Sequence, residues 1–320
     1  MKRDDLHRNL LRALENKIPD KTELVEILMK LLFMEKGAIY RRLRGEVPFS
    51  FYEVMNIIDK LNIPLYNIIY TFDERIDRFE MNIKSANMDD MDYKHWEDYV
   101  SLISTAKNDP NSEIAESSNV LPLSIYPGFD SLLKYFLFKY QYMNNNLERR
   151  ISFNDLVIPD RLNKIIKGYF RESKYFSKTI YIWDYSILRY LVDDIQYFSG
   201  INLISVDDIQ KIRKDLFALI DYIERIAKNG CFEETGNPVS LYASDINIDA
   251  IYSYMQFNDL YVSLVRIFIL NSVVSTVHSS FMIMKNWIQS LIKSSVLITQ
   301  SGALYRAEFF DRQRKIIEKL

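Results

Sequence analysis

Apolar residues recur every three or four positions near the start of the chain, which is the spacing of amphipathic helices. A first helix is predicted over residues 6–18, where Pro19 ends it. A second helix begins after Asp20, which has the spacing of a capping box with Glu23. The apolar positions of this second helix share one face, which predicts burial: Leu24, Ile27, Leu28, Leu31 and Leu32.

A short basic helix is predicted next, over residues 36–44. Ile39 and Leu43 are four positions apart, so both can face the interior of a small domain. Gly45 suits the left-handed conformation that commonly follows the end of a helix.

Two further helices complete this region. Ser50 and Glu53 form an S-x-x-E capping box that opens a helix over residues 51–61. Pro64 permits a last short helix over residues 65–72. The five predicted helices make a helical domain over residues 1–76.

The pattern changes beyond this domain. Residues 78–84 alternate between apolar and polar and predict a strand. A period of two returns after Pro238, with Asn258-Asp259 as a hairpin turn, and predicts strands over 239–243, 246–250 and 260–270. Helical periodicity predicts helices over 93–107, 129–143, 156–176, 183–198, 206–228, 281–298 and 303–319.

We therefore expect a mainly α protein with a small antiparallel β-sheet, an α+β class. Residues 77–320 would be a largely helical domain that contains a β-meander.

Composition narrows the class of protein. Apolar residues make up 48% of the chain and aromatic residues 14%, which is typical of a globular protein. The single cysteine, Cys231, leaves no disulfide or thiolate zinc site within one chain and is compatible with a cytoplasmic location. No apolar segment follows Met1, and Arg266 and Asn271 interrupt the longest apolar run, residues 262–274. We therefore expect neither a signal peptide nor a membrane span.

Positive charge is concentrated in one place. The formal net charge of the chain is −2, which argues against a general polyanion binder. Residues 35–45 nevertheless contain four basic side chains, Lys36, Arg41, Arg42 and Arg44, against the single acid Glu35. A local basic helix on a near-neutral chain predicts a small electrostatic footprint for a polyanion such as DNA.

Residues 6–72 resemble the phage-repressor-like (lambda-repressor-like, XRE-type) helix-turn-helix family. The resemblance rests on the segment LFMEKGAIYRRLRG at positions 32–45, and on Pro48-Phe49-Ser50 before an amphipathic helix. The whole chain resembles helix-turn-helix regulators with a large C-terminal domain, of the type common in Bacteroides-like bacteria.

The chain departs from the family pattern at three positions. Phe33 stands where the family usually has glycine, Glu35 stands where it has a polar residue, and Val25 stands near its phosphate-contacting glutamine. Lys21 or Thr22 are candidates to replace that phosphate contact.

The resemblance implies a sequence-specific DNA-binding transcription regulator that reads the major groove with helix 36–44. Lys36, Gly37 and Arg41 match family positions that face base edges, and Arg44 matches a position that meets a phosphate. Arginine suits guanine because its planar fork binds O6 and N7 together. Tyr40 lies beside them and faces a thymine methyl or a phosphate. The residues assigned to the DNA interface are Lys36, Gly37, Ala38, Tyr40, Arg41, Arg42 and Arg44.

The expected partners follow from the same reading. One short recognition helix reads few base pairs, so we expect a homodimer on double-stranded DNA. Residues 77–320 would serve dimerisation, sensing or partner contact, and a small-molecule or protein effector stays open. No cofactor motif occurs, and we expect no enzymatic activity.

A metal site is not expected either. Asp245, Asn247 and Asp249 have the opening oxygens of a calcium loop, but Ala250 and Gln256 stand where that loop needs glycine and glutamate.

Two alternatives to DNA binding remain. Arg41, Arg42 and Arg44 can instead form a solvated face paired with Glu46, Glu35 or Asp59. The N-terminal domain can also be a repressor-like module that docks a protein, such as an antirepressor, without binding DNA. Steep weakening of binding with salt would distinguish DNA from a protein partner.

Overall fold

Four helices of the N-terminal region begin and end close to where their sequence patterns place them. The computed structural model describes residues 3–61, 63, 68, 80–82, 93–144, 151–267 and 271–320. The first range holds α1 (Arg3–Lys17), α2 (Lys21–Leu32), α3 (Lys36–Leu43) and α4 (Phe51–Leu61). The helix predicted over residues 65–72 lies outside the described residues except at Ile68.

Both predicted helix starts are confirmed by their capping bonds. The Asp20 carboxylate accepts hydrogen bonds from the backbone N–H groups of Thr22 at 2.7 Å and Glu23 at 2.9 Å. At α4 the bonds are reciprocal. The Ser50 N–H donates to Glu53 Oε2 at 2.8 Å, and the Glu53 N–H donates to Ser50 Oγ at 3.3 Å. These bonds satisfy backbone donors that the first turn of a helix leaves free.

The helices of this region share one apolar core. Its members come from α1, α2, α3, α4 and the segments beside them: Leu10, Leu14, Leu24, Val25, Leu28, Ile39, Phe49, Ile57, Ile63 and Ile68. Of the predicted apolar face of α2, Leu24, Leu28, Leu31 and Leu32 pack in this core, whereas Ile27 is not part of it and Val25 is buried in it instead.

The chain divides into two units, Met1–Asp77 and Arg78–Leu320. The second is built on an eight-stranded mixed sheet with the order β1-β7-β6-β5-β2-β3-β4-β8. Its strands are β1 (Glu80–Asn82), β2 (Glu113–Ser118), β3 (Lys178–Asp184), β4 (Val239–Ser244), β5 (Ile251–Phe257), β6 (Leu260–Ile267), β7 (Asn271–Ser275) and β8 (Ser295–Leu297). Strands β2, β3 and β4 run parallel, and the other described pairs are antiparallel.

Helices cover both faces of this sheet. They are α5 (Tyr93–Ser104), α6 (Asp130–Asn144), α7 (Asp160–Glu172), α8 (Arg189–Gly200), α9 (Val206–Asn229), α10 (His278–Lys293) and α11 (Ala303–Ile317). One face, which includes Tyr181 and Leu241, packs with α6 and α9 in the larger core. The opposite face, which includes Ala115 and Ile180, packs against α10 in a separate core.

The expected fold class is wrong, because the sheet is large and mixed rather than small and antiparallel. The two parallel strands β2 and β3 were not predicted. Both are buried on both faces, so neither shows the alternation that marks a half-exposed strand. Trp183, expected to begin a helix, lies in β3, and α8 begins only at Arg189.

The predictions for the strands and helices of residues 239–298 are partly confirmed and partly wrong. An antiparallel meander is present and is extended by β1, but β5, β6 and β7 form it. The strand expected over 239–243, β4, pairs parallel to β3 and lies outside the meander. The turn of the meander is confirmed, since Asn258 and Asp259 both have positive φ, 46° and 60°, as a tight hairpin requires. Residues 246–250, expected as a strand, form the loop before β5, and the helix expected over 281–298 ends at Lys293 before β8.

No helix in the described part of the chain combines the length and the apolar character that a membrane crossing needs.

Candidate nucleic-acid interface

Helix α3 is anchored from its inward side. Ile39 is fully buried in the core of the N-terminal unit, and Leu43 packs against the same core one turn later. Only eight residues make up this helix, too few for a helix that is stable in isolation. Its position therefore depends on these apolar contacts and on the polar contacts of its C-terminal turn.

The turn between α2 and α3 contains a left-handed residue. Phe33 has φ 52° and ψ 46°, and its N–H donates to the carbonyl of Met29 at the end of α2. Its side chain is 94% exposed, so the ring makes little contact that could compensate the backbone conformation. The sequence pattern places this residue where the resembled family usually has glycine, the residue that adopts such φ values without strain.

Arg42 ties α3 to the start of α4. Its guanidinium donates to Glu53 through Nη2 at 2.9 Å and Nε at 3.2 Å, and the two side chains are only 17% and 12% exposed. Burial acts to raise the pKa of Glu53. The hydrogen bonds from Arg42 and Ser50 outweigh burial and hold that pKa below 4.5. The Glu53 carboxylate thus caps α4 and holds α3 at once.

A second contact fixes the last turn of α3 against α1. His7 Nε2 lies 3.0 Å from the carbonyl oxygen of Arg42, and the His7 ring stacks on Phe49 with centroids 5.7 Å apart. Gly45 follows with φ 77°, which ends the helix as the sequence predicts.

One face of α3 remains open to solvent. Lys36, Tyr40 and Arg44 follow one another at intervals of four residues, and Gly37 and Arg41 form the adjacent row. All five are exposed. The Lys36 ammonium lies 5.9 Å from the centre of the Tyr40 ring. The face therefore presents cations and an aromatic ring on a helix whose opposite side is held in place.

Glu46 partly neutralises this face. The Arg44 guanidinium donates to its carboxylate at 2.6 and 3.2 Å, and Arg41 Nε lies 3.8 Å from the same group. The hydrogen bond lowers the pKa of Glu46 and raises the pKa of Arg44. The paired arrangement considered as an alternative to DNA binding thus occurs for Arg41 and Arg44, with Glu46 as the shared partner.

The structure sorts the predicted interface residues into two groups. Lys36, Gly37, Tyr40, Arg41 and Arg44 lie together on the exposed face. Ala38 is half-buried, and the Arg42 side chain is turned towards Glu53 and away from solvent.

The sequence named Glu46 among the possible partners of the arginines, but it did not indicate that Glu53 pairs with Arg42. Glu53 was identifiable as a capping residue, but its pairing with Arg42 depends on how α3 and α4 cross. Of the acids considered as partners of the arginines, Glu46 is the one that bonds to Arg44.

The charge of the N-terminal unit is balanced. Residues 1–77 contain thirteen lysine or arginine residues and thirteen aspartate or glutamate residues. Among the residues that the structure describes, no group of three or more histidine, cysteine or acidic side chains is placed to hold a metal ion.

Comparisons of the chain with protein-family models, with curated proteins and with solved structures found no match.

Proposed function

We propose that the chain is a sequence-specific DNA-binding transcription regulator that reads the major groove with α3. The observation that carries the proposal is the exposed face of Lys36, Tyr40, Arg41 and Arg44 on a helix anchored by buried Ile39. A helix entering the major groove needs this division between a fixed inner side and a polar outer side. A DNA-bound regulator of this kind would act in the cytoplasm.

The residues of the exposed face have different proposed roles. Lys36 lies in the first turn of α3, the part of a recognition helix that enters the groove, and is assigned to a base edge. Arg41 lies in the last turn on the same exposed face, and its longer side chain is assigned to a second base edge. Arg44 contacts a DNA phosphate after its hydrogen bond to Glu46 is broken. Arg42 positions α3 through Glu53 and does not itself contact DNA.

We also propose that the chain binds DNA as a homodimer. The N-terminal unit has no net positive charge and exposes few cations on α3, so one copy gains little non-specific affinity. Two copies on a two-fold symmetric site double both the base contacts and the phosphate contacts. Sedimentation of the full chain, alone and with the selected duplex, should give two chains per duplex.

The decisive experiment is selection of bound duplexes from a random DNA pool by the full chain. We expect a two-fold symmetric motif whose binding weakens as salt rises, through release of counterions. Recovery of unenriched sequence after several rounds would contradict the proposal.

The variants Arg41→Ala and Arg44→Ala test the assigned roles. Arg41→Ala should relax the base preference at one position in each half-site, at a cost of about 1–3 kcal/mol for the preferred base. Arg44→Ala should weaken binding to all sequences alike and reduce the salt dependence. An unchanged motif for Arg41→Ala would show that this side chain is not a base reader.

A protein-docking module is the second candidate function. The observation that favours it is a set of aromatic side chains with exposure of 80% or more in the same unit, Phe33, Phe51 and Tyr52. Exposed aromatic residues are typical anchors of protein interfaces. Such docking would tolerate salt far better than DNA binding, so titrations at rising ionic strength distinguish the two.

A further inference from the structure

A cavity of about 270 Å³ opens in the C-terminal unit at the carboxyl end of β2. The loop after β2 contributes four residues, the start of β5 and the two positions before it contribute three, and the end of β6 contributes Arg266 and Ile267. Strand β2 has a parallel neighbour on one side and an antiparallel neighbour on the other, so strand direction changes at this point. Open α/β sheets generally place their ligands beyond the carboxyl ends of strands where the topology changes.

Most of the cavity wall is apolar. Val120, Leu121, Leu123, Phe136 and Ile251 line it, and all of these except Val120 are more than 90% buried. Such a wall suits a compact hydrocarbon group. The cavity lies just below the usual range for small-molecule sites of about 300–1,000 Å³, so its ligand is small.

Three charged side chains also line the cavity: Lys139, Asp249 and Arg266. Lys139 is already paired with Asp194 on α8. The Asp249 carboxylate accepts a hydrogen bond from the Tyr252 hydroxyl at 2.8 Å. Arg266 differs from both, because its buried Nε has no hydrogen-bond partner among the described residues. A buried donor left without a partner is costly, so a ligand acceptor at this point would gain from satisfying it.

A buried acidic group on the same sheet face, Glu116, compensates the charge of Arg266 only in part. Glu116 lies on the same face of the sheet, because Glu116 pairs with Ser253 and Arg266 pairs with Ile251, two positions along β5. It is 4% exposed, and its Oε1 has no hydrogen-bond partner. Burial raises the pKa of Glu116 to about 7, against the opposing effect of Arg266. Near neutral pH this carboxyl is therefore only partly ionised and leaves Arg266 with excess positive charge.

We propose that this cavity binds a small monocarboxylate with an apolar body, its carboxylate paired with Arg266. A guanidinium matches a carboxylate through two parallel N–H donors. A phosphate dianion fits less well, since Arg266 is the one lining cation without an ion-pair partner among the described residues and Asp249 repels added negative charge. The proposal stands independently of DNA binding.

Hexanoate and its neutral isostere hexanamide provide a direct test on the full chain. Calorimetric titration should show hexanoate binding at least about tenfold more tightly than hexanamide, since only the acid makes a charged hydrogen bond. Inorganic phosphate should compete poorly because it lacks the apolar body. Equal affinity for acid and amide, no binding of hexanoate at millimolar concentration, or phosphate competing as well as hexanoate would overturn the proposal.

Two variants locate the carboxylate. Arg266→Gln should abolish the preference for acid over amide. Asp249→Asn removes a like charge from the wall while keeping an acceptor for Tyr252, and should tighten hexanoate binding by about two- to fivefold. Asp245→Asn is the matched control, because Asp245 is an exposed acid of the same loop that does not line the cavity. If Arg266→Gln does not fold, Asp249→Asn decides, and affinities equal to those of Asp245→Asn would refute the site.

Discussion

Single side chains set the strength of the proposed interface, and Glu46 is the clearest case. It occupies the guanidinium of Arg44 and lies near Arg41, so DNA phosphates must compete with it. Glu46→Gln should tighten DNA binding by about three- to tenfold at low salt and steepen the salt dependence. Fluorescence anisotropy on the selected duplex measures both effects.

Glu15→Gln is the matched control for this prediction, because Glu15 is an exposed acid on α1. The two variants remove the same charge from the same unit. Equal gains in affinity would mean that total charge, rather than the bond between Glu46 and Arg44, limits binding.

Phe33 provides a second prediction at the residue scale. It holds a left-handed conformation that costs a non-glycine residue about 1–2 kcal/mol, and its ring is almost fully exposed. Phe33→Gly should therefore stabilise the N-terminal unit by up to about 1 kcal/mol after the added chain entropy is counted. Hydrogen exchange of the α2 and α3 amides in the full chain measures this. Phe33→Ala removes the ring without relieving the backbone and should give no such gain.

At the scale of elements, the pair of Arg42 and Glu53 joins α3 to the start of α4. Glu53→Gln should lower the protection of the α3 amides by about 1–2 kcal/mol at neutral pH, because it weakens the charged bonds to Arg42. The pKa of Glu53 is lower in the folded state than its ordinary value of 4.5. The stability that Glu53 contributes is therefore complete above pH 4.5 and is lost as pH falls through the folded-state pKa. Hydrogen exchange over a pH series should show this acid loss in the wild type and not in Glu53→Gln. Identical pH profiles would show that the pair does not stabilise α3.

The sequence was sufficient to predict elements where local chemistry determines them. The capping boxes at Asp20 and Ser50 and the turn at Asn258-Asp259 depend on neighbouring residues alone, and each was predicted. Strand β2 was not predictable in this way, because its buried polar residues Glu116, Ser117 and Ser118 have the composition of a loop. Their burial follows from the helices that cover the sheet, which is a property of the whole fold.

The same limit applies to the two sites. The exposed row of α3 follows from helical spacing, so it was predicted. Arg266 and Glu116 are brought near one another only by the strand order β6-β5-β2, and no local pattern joins two residues so distant in sequence.

At the scale of the whole molecule, the charge state of Glu116 affects the stability of the C-terminal unit. Its folded-state pKa is raised to about 7 from 4.5, so the folded unit retains a proton that the unfolded chain releases. The contribution of Glu116 to stability should be complete below pH 4.5, fall as pH rises towards 7 and then level off, by up to about 3 kcal/mol in all. Glu116→Gln should remove this fall between pH 4.5 and 7. Tryptophan fluorescence during urea unfolding isolates this unit, because Trp96, Trp183 and Trp287 all lie within it. Wild-type and variant profiles of the same shape between pH 4.5 and 7 would contradict the prediction.

The position of β2 in the middle of the sheet has a consequence for the order of events during synthesis. Glu113 on β2 bonds to the hydroxyl of Tyr254 on β5, 141 positions later, whereas the bond of Asn9 to Ile68 in the N-terminal unit spans 59. At about 5–20 residues per second, β2 leaves the ribosome on the order of 10 s before its antiparallel neighbour exists. During that interval the edge of β2 that later pairs with β5 must be shielded by β3, by nearby helices or by a chaperone. The N-terminal unit can close first, so the nascent chain would present α3 before the central sheet is complete.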